Sequence, residues 1–295
     1  MDEKMRLIIV SGLSGSGKSV ALHVLEDLGY YCIDNLPAAL INALVKELTD
    51  GSNSVNRIAV GVDARNPQKD LESLPRLIKE LRAQGTQTDL LFLQTSDDVL
   101  LKRYSESRRR HPLSVDGTEL RAAIDNERAL LGPIINAADL IVDTTRSSVY
   151  ELADLIRERV DRRQSNMLSV LVESFGFKHG IPADADFVFD LRCLPNPYWQ
   201  PELRPLTGLD QPVKEFLESQ ELFRQMFDDV HSFLIRWIPE YVSFNRGYLT
   251  VAIGCTGGQH RSVYMTEKLV TALKQSHDPV LSRHCELGQR AGSKD

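Results

Sequence analysis

The sequence has no apolar stretch approaching the ~18 residues needed to cross a bilayer, so a spanning helix is not expected. The opening apolar run stops at Val10, before Ser11-Gly12, and is too short for a signal peptide. The four cysteines, Cys32, Cys193, Cys255 and Cys285, form no C-x-x-C pair. That spacing excludes both a zinc knuckle and a disulfide framework. A basic excess is also missing: the formal net charge is −6, which excludes a surface that coats nucleic acid or an anionic membrane as a whole. Any such contact must use a local basic patch. No internal repeat or low-complexity tract is present. What remains is a chain expected in a reducing cytosol, whose 295 residues suit two domains of ~150.

Against these absences, one motif is complete. Gly12-Leu13-Ser14-Gly15-Ser16-Gly17-Lys18-Ser19 fits G-x-x-x-x-G-K-[ST]. Leu7-Ile8-Ile9-Val10 before it suits a buried strand, and Val20 to Leu28 after it has helical spacing that stops at Gly29. In this strand-loop-helix setting, backbone N–H groups and the helix N-terminus face phosphate oxygens. Lys18 is the candidate catalytic cation on the outer phosphates, and the Ser19 hydroxyl is the candidate Mg²⁺ ligand.

Further polar residues fall where strands are expected to end. Tyr30 to Ile33 delivers Asp34, a candidate for Mg²⁺ or an acceptor group, or equally a cap for a helix over Ala38 to Leu48. Arg57 to Val62 delivers Asp63-Ala64-Arg65-Asn66, similar to a Walker B element. Helices are expected over Gln68 to Ala83, Thr118 to Leu131 (stopped near Gly132-Pro133) and Val149 to Val160, with strands at Leu90 to Leu93 and Asp139 to Val142. Asp97 to Arg110 reads as a helix in which Arg103 and Arg110 share a face. It is either a lid-like clamp on phosphoryl groups, as in small-molecule kinases, or a solvated helix end. The alternation predicts an α/β, doubly wound parallel sheet of P-loop kinase type over residues 1–160.

The polar run Arg157 to Asn166 reads as a linker to a smaller α/β domain over 167–295. Strands Leu168 to Val172 and Phe187 to Phe189 lead into Glu173 to Gly180 and into Asp190, Leu191 and Arg192, and a Pro-rich loop follows through Pro205. Val213 to Ile238 reads as one helical run with Leu222 and Trp237 in its core stripe. Tyr248 to Ile253 is the last clear strand, and it feeds Gly254-Cys255-Thr256-Gly257-Gly258-Gln259-His260-Arg261-Ser262 and a helix. This is a second anion cradle, with Arg261 as a bidentate ligand. His179 and His260 lie beside the two loops and could share a phosphate. Cys255 and Arg261 also satisfy the C-x5-R spacing of cysteine-dependent phosphatases. A binding loop is the stronger reading, because no general-acid Asp sits in a recognisable neighbouring loop.

Together these motifs, with Asp34-Asn35-Leu36-Pro37 and Arg109-Arg110-His111-Pro112-Leu113, resemble the RapZ family of bacterial P-loop nucleotide-binding and RNase adapter proteins. The resemblance spans nearly the whole chain. It implies ATP at Gly12 to Ser19, GTP at Asp63 to Asn66, Mg²⁺, and weak ATPase and GTPase activity. It implies an amino-sugar phosphate such as glucosamine 6-phosphate in the second domain, at Lys178, His179, Asp190, Arg192, Cys255, Thr256, Gly257, Gly258, His260 and Arg261. It also implies small regulatory RNA and an endoribonuclease as partners of a cytoplasmic homotetramer. Here the Pro-Asn-Pro loop carries Tyr198, and the tail has Arg283, Arg290 and Lys294 against Glu286 and Asp295. RNA affinity grows with the number of phosphates neutralised. The alternative reading of the P-loop is a small-molecule kinase.

Overall fold

The computed structural model describes residues 5–50, 55–107, 110–114, 119–161, 167–244 and 246–287. Arg109, Thr118, the 162–166 part of the expected linker, Arg290 and Lys294 lie outside the described residues. The chain splits into two compact units, Met1–Ser165 and Asn166–Asp295.

The first unit alternates β1 (Arg6–Gly12), α1 (Lys18–Asp27), β2 (Tyr31–Ile33), α2 (Ile41–Asp50), β3 (Arg57–Gly61), α3 (Gln68–Ala83), β4 (Gln87–Gln94), α4 (Asp97–Ser107), α5 (Leu120–Ile135), β5 (Leu140–Asp143) and α6 (Val149–Ile156). Every strand pair is parallel, in the order β2-β3-β1-β4-β5. Helices cover both faces of such a sheet, which is why β1 and β4 read as continuous apolar runs. Ile9, in register with Val60 and Leu90, is fully buried with both partners. Each such side chain contributes about 1.5–3 kcal/mol by leaving water.

Several boundaries differ from the sequence reading; α4, expected to reach Arg110, ends at Ser107. Helix α5 runs through Gly132-Pro133 to Ile135, because Pro133 falls in the last turn and the Asn136 N–H still reaches the Gly132 carbonyl at 3.2 Å. A 3-10 turn, Ala38–Leu40, precedes α2. The expected linker begins inside the fold: Arg157–Asp161 is a π-helical turn in which Arg159 is fully buried, and Arg6 Nη2 donates to the Val160 carbonyl at 2.5 Å.

The second unit contains β6 (Ser169–Gly176), β7 (Phe187–Asp190), α7 (Gln211–Glu218), α8 (Glu221–Ser243), β8 (Tyr248–Cys255), α9 (Arg261–Leu273) and β9 (Val280–His284). Its sheet is also wholly parallel, in the order β7-β8-β6-β9. The expected single helix over Val213 to Ile238 is two, broken at Ser219-Gln220. Leu222 and Trp237, expected in the core, are 55% and 41% exposed. Strand β9 has no counterpart in the sequence reading.

The two strand orders share a consequence. In the first unit the chain leaves β1 for β2 on one side, then crosses over β1 from β3 to reach β4. In the second it leaves β6 for β7 and crosses over β6 from β8 to reach β9. The connections therefore reverse direction at β1 in the first unit and at β6 in the second, and at such a topological switch point the carboxyl ends open a crevice for ligands.

Candidate functional site

At the first switch point a cavity of about 710 Å³ is lined by Ser14, Gly15, Gly17, Lys18, Ser19, Asp34, Asp63, Arg65, Arg103 and Arg110, among others. That volume lies within the range of small-molecule sites. The P-loop leaves β1 and wraps onto the N-terminus of α1, with Gly12, Gly15 and Gly17 at positive φ. Lys18 Nζ donates to the Gly12 carbonyl at 2.6 Å, arching back over the loop. Burial lowers the Lys18 pKa, opposed by the charges of Glu127, Asp63 and Asp34. Among the described residues, the Ser16 hydroxyl is buried without a hydrogen-bond partner. Positive-φ glycines and a lysine over the loop fit a nucleotide's phosphates.

From β3, Asp63 is buried and Arg65 is half-exposed, and Arg65 Nε and Nη2 grip both Asp63 oxygens at 2.5–3.2 Å. Burial alone would push the Asp63 carboxyl up, but Arg65's hydrogen bonds and charge, with Lys18, hold it below the usual carboxylate range. Asp34 accepts from the Asn35 N–H at 2.8 Å and faces the cavity, so it forms a local turn and does not cap a helix. The Ser19 hydroxyl and the Asp34 and Asp63 carboxylates are oxygen donors that suit Mg²⁺. Asn66 is spent on the backbone: its Oδ1 accepts from the Ala38 N–H at 2.7 Å and its Nδ2 donates to the Asp63 carbonyl at 3.2 Å. Asp63 and Arg65 thus share one cavity with the P-loop, and Asn66 shapes the loop behind it.

Arg103, on α4, donates to the Gly15 carbonyl at 2.8 Å and to the Thr144 carbonyl at 3.0 Å. Arg110, expected on the same helix face, lies beyond the end of α4 at Ser107, and both arginines line the cavity wall. Beneath the loop lies a group the sequence reading missed. Glu127 of α5 is fully buried and accepts from the Ser14 N–H (2.9 Å), the Ser14 hydroxyl (2.6 Å) and His111 Nε2 (3.1 Å).

At the second switch point Cys255 ends β8. Its Sγ accepts from the Gly258 N–H at 3.2 Å and lies 3.1 Å from the Ser262 hydroxyl. Arg261 opens α9 but turns inward: Nη1 donates to the carbonyls of Leu191 (3.2 Å), Arg192 (3.1 Å) and Leu194 (2.8 Å), and Nη2 to Thr256 Oγ1 at 3.3 Å. Among the described residues, its Nε is buried without a partner. Arg261 therefore ties the Leu191–Leu194 turn to the cradle. A cysteine-phosphatase arginine must aim its fork at the substrate, and this one is largely committed elsewhere.

Around the rim, Lys178 and His179 are exposed on the β6 side, and the Lys178 N–H reaches the Thr256 carbonyl at 3.3 Å. His260 is buried at the start of α9, so the two histidines occupy different environments. Asp190 and Arg192 form a bidentate pair at 2.7–3.0 Å, and Arg192 lies 3.9 Å over the Phe177 ring. The hydrogen bonds from Arg192 hold the Asp190 carboxyl below its ordinary value.

Comparison with known proteins agrees with this division. Residues 5–164 match the RapZ-like N-terminal domain and residues 168–288 the RapZ C-terminal domain. A nucleotide-binding protein from Halorhodospira halophila is 54% identical over 96% of this chain and 99% of its own length. One from Marinobacter nauticus is 51% identical over 96% and 97%. Among solved structures, shikimate kinase from Acinetobacter baumannii in complex with shikimate is similar over 53% of this chain and 93% of its own, at 16% identity and a TM-score of 0.35. With both units matched and about half of all residues shared with these relatives along nearly the full length, the chain belongs to the RapZ family of nucleotide-binding proteins.

Proposed function

We propose that this chain is a regulatory protein that holds ATP or GTP with Mg²⁺ in the P-loop cavity, hydrolyses it slowly, and senses an amino-sugar phosphate such as glucosamine 6-phosphate in its second unit. The observation that carries this reading is the pair of switch-point cradles. The first has Lys18 and oxygen donors for a metal; the second has the Cys255 to Arg261 loop after β8, with Lys178 and His179 exposed in the 3-10 turn after β6 and the Lys178 N–H bonded to the Thr256 carbonyl. Because the ATP and GTP segments face one cavity, the two nucleotides exclude each other.

Calorimetry on the full chain tests both halves. MgGTP is expected to displace MgATP, and glucosamine 6-phosphate is expected to release heat. That heat should vanish in Lys178→Ala/His179→Ala, whose residues are exposed, with MgATP binding unchanged. Additive heats from the two nucleotides would defeat the single-cavity reading, and an unchanged sugar-phosphate isotherm in the variant would defeat the sensor reading. The kinase alternative predicts that some acceptor accelerates ATP turnover by orders of magnitude.

A second reading, presentation of small regulatory RNA to an endoribonuclease, is favoured by one surface feature. Trp199 is 75% exposed beside Tyr198, and Arg204 lies 4.7 Å over the Tyr198 ring. Exposed aromatic faces with arginine form stacking platforms for unpaired bases. Crosslinking the intact protein in cells is expected to recover RNA, with recovery falling several-fold in Trp199→Ala; equal recovery would remove this role from the platform.

A further inference from the structure

Glu127 is a fully buried charge that ties two separate segments of the first unit together. It belongs to α5, outside the P-loop, yet its carboxylate holds both the N–H and the hydroxyl of Ser14, the third residue of the motif. It also holds His111, from the 110–114 segment, whose Arg110 and Pro112 line the nucleotide cavity. The bonding pattern fixes the states of both groups. His111 Nδ1 accepts from the Leu113 N–H at 3.2 Å, so the ring's proton sits on Nε2 and is donated to Glu127. Burial alone would push the Glu127 carboxyl up, but the bonds from His111 and Ser14, with the Lys18 charge, hold it below the ordinary glutamate value. The carboxylate is ionised inside a fully buried pocket, where losing a donor is costly. Tyr104 of α4 closes the group, its ring 5.3 Å from that of His111, with its hydroxyl pKa pushed up to about 12 by burial and by Glu127. Burial lowers the Lys18 pKa, and the Glu127 charge opposes that shift.

We propose that Glu127 is a positioning residue of the phosphate cradle, and that through His111 it couples the cradle to the 110–114 segment. The assignment rests on the nucleotide reading. One carboxylate is shared between Ser14 and His111, so its hold on one alters its demand on the other. When phosphate engages the loop at Ser14, the carboxylate depends more on His111. When His111 cannot donate, the carboxylate draws more on Ser14 and withholds its N–H from the ligand. Coupling of this kind is reciprocal.

The experiment measures MgATP affinity of the full chain by calorimetry. His111→Leu, which removes the donor, is expected to weaken MgATP about tenfold, within the usual range of coupling between sites. His111→Gln, which keeps an N–H donor, should stay within about twofold of the parent. In a Glu127→Gln background, adding His111→Leu should cost no more than about twofold, because the buried charge that needed the donor is gone. Parent-like affinity in His111→Leu, or an undiminished loss in the Glu127→Gln background, would overturn the coupling.

Hydrogen exchange on the unaltered chain tests the same claim if the leucine variant does not fold. Saturating MgATP should slow the Leu113 amide, which is bonded to His111, by about fivefold or more, and no change would overturn the coupling. A parent chain without MgATP affinity overturns the nucleotide reading itself, an outcome separable from all of these.

Discussion

Replacing Arg261 with methionine is expected to lower the unfolding free energy of the second unit by about 3–5 kcal/mol. Methionine fills a similar volume, so the loss measures hydrogen bonding more than packing. Arg261 is 3% exposed and donates to three carbonyls of the Leu191–Leu194 turn, of which that of Leu191 also accepts the Leu194 N–H, and to the Thr256 hydroxyl. Each buried acceptor left without a partner costs about 1–3 kcal/mol, less where water can enter. Arg261→Lys is expected to recover only part of the loss. An ammonium is a point donor and cannot span the three carbonyls and Thr256 as the planar fork does. The chain's two tryptophans, Trp199 and Trp237, both lie in this unit, so tryptophan fluorescence during urea unfolding reports it directly. A methionine variant with the parent's midpoint would show that water or a neighbour replaces the guanidinium at no cost, and would remove Arg261 as the tie between turn and cradle.

How much of this was legible in the sequence depends on how local each signal is. The P-loop, the strand-end aspartates and the Cys255 to Arg261 loop are contiguous segments whose residue types specify their own backbone. The structure sets Lys18, Asp34, Asp63 and Arg65 around one cavity. Glu127 was not legible as a site residue, because a glutamate in Asp125-Asn126-Glu127-Arg128 reads as a solvated face. Its spacing carried a signal nonetheless. Ile124, Glu127, Leu131 and Ile134 fall on one helical stripe and all are buried, so a carboxylate on an apolar stripe was the cue. Arg159 was hidden in the same way, as a buried cation within a run of charges. Strand β9, Val-Leu-Ser-Arg-His, has only two apolar residues, because its ladder to β6 places Arg283 and His284 beside Glu173 and Ser174. The direction of Arg261 was beyond the sequence, since a motif specifies the residue and its spacing, and only the Leu191–Leu194 turn determines where the fork points.

Replacing Gly12 with alanine is expected to cost the first unit at least about 4 kcal/mol and to abolish MgATP binding. Gly12 is the last residue of β1, at φ +141°, a conformation that L side chains rarely adopt. An added Cβ would lie 2.1 Å from the Leu93 carbonyl oxygen and 2.7 Å from the Leu93 nitrogen. These are backbone atoms of the central neighbouring strand, paired with Gly12 in the ladder, so no rotamer change relieves the overlap. The struck carbonyl also accepts the Leu13 N–H at 3.1 Å, so moving β4 aside would release the start of the P-loop. Steric strain, a lost ladder contact and a displaced cradle therefore add at one site, the kind of combination that produces exceptionally large mutational losses. Gly132→Ala is the matching control. Nothing lies within 4 Å of its added Cβ and the residue sits inside α5, so that change should be neutral or stabilise by up to about 1 kcal/mol. Hydrogen exchange of the β1 and β4 amides, with MgATP calorimetry on the same samples, separates the two variants. If Gly12→Ala keeps parent-like protection and affinity, β1 and β4 can part without loss, and the close approach at Leu93 is not what shapes the cradle.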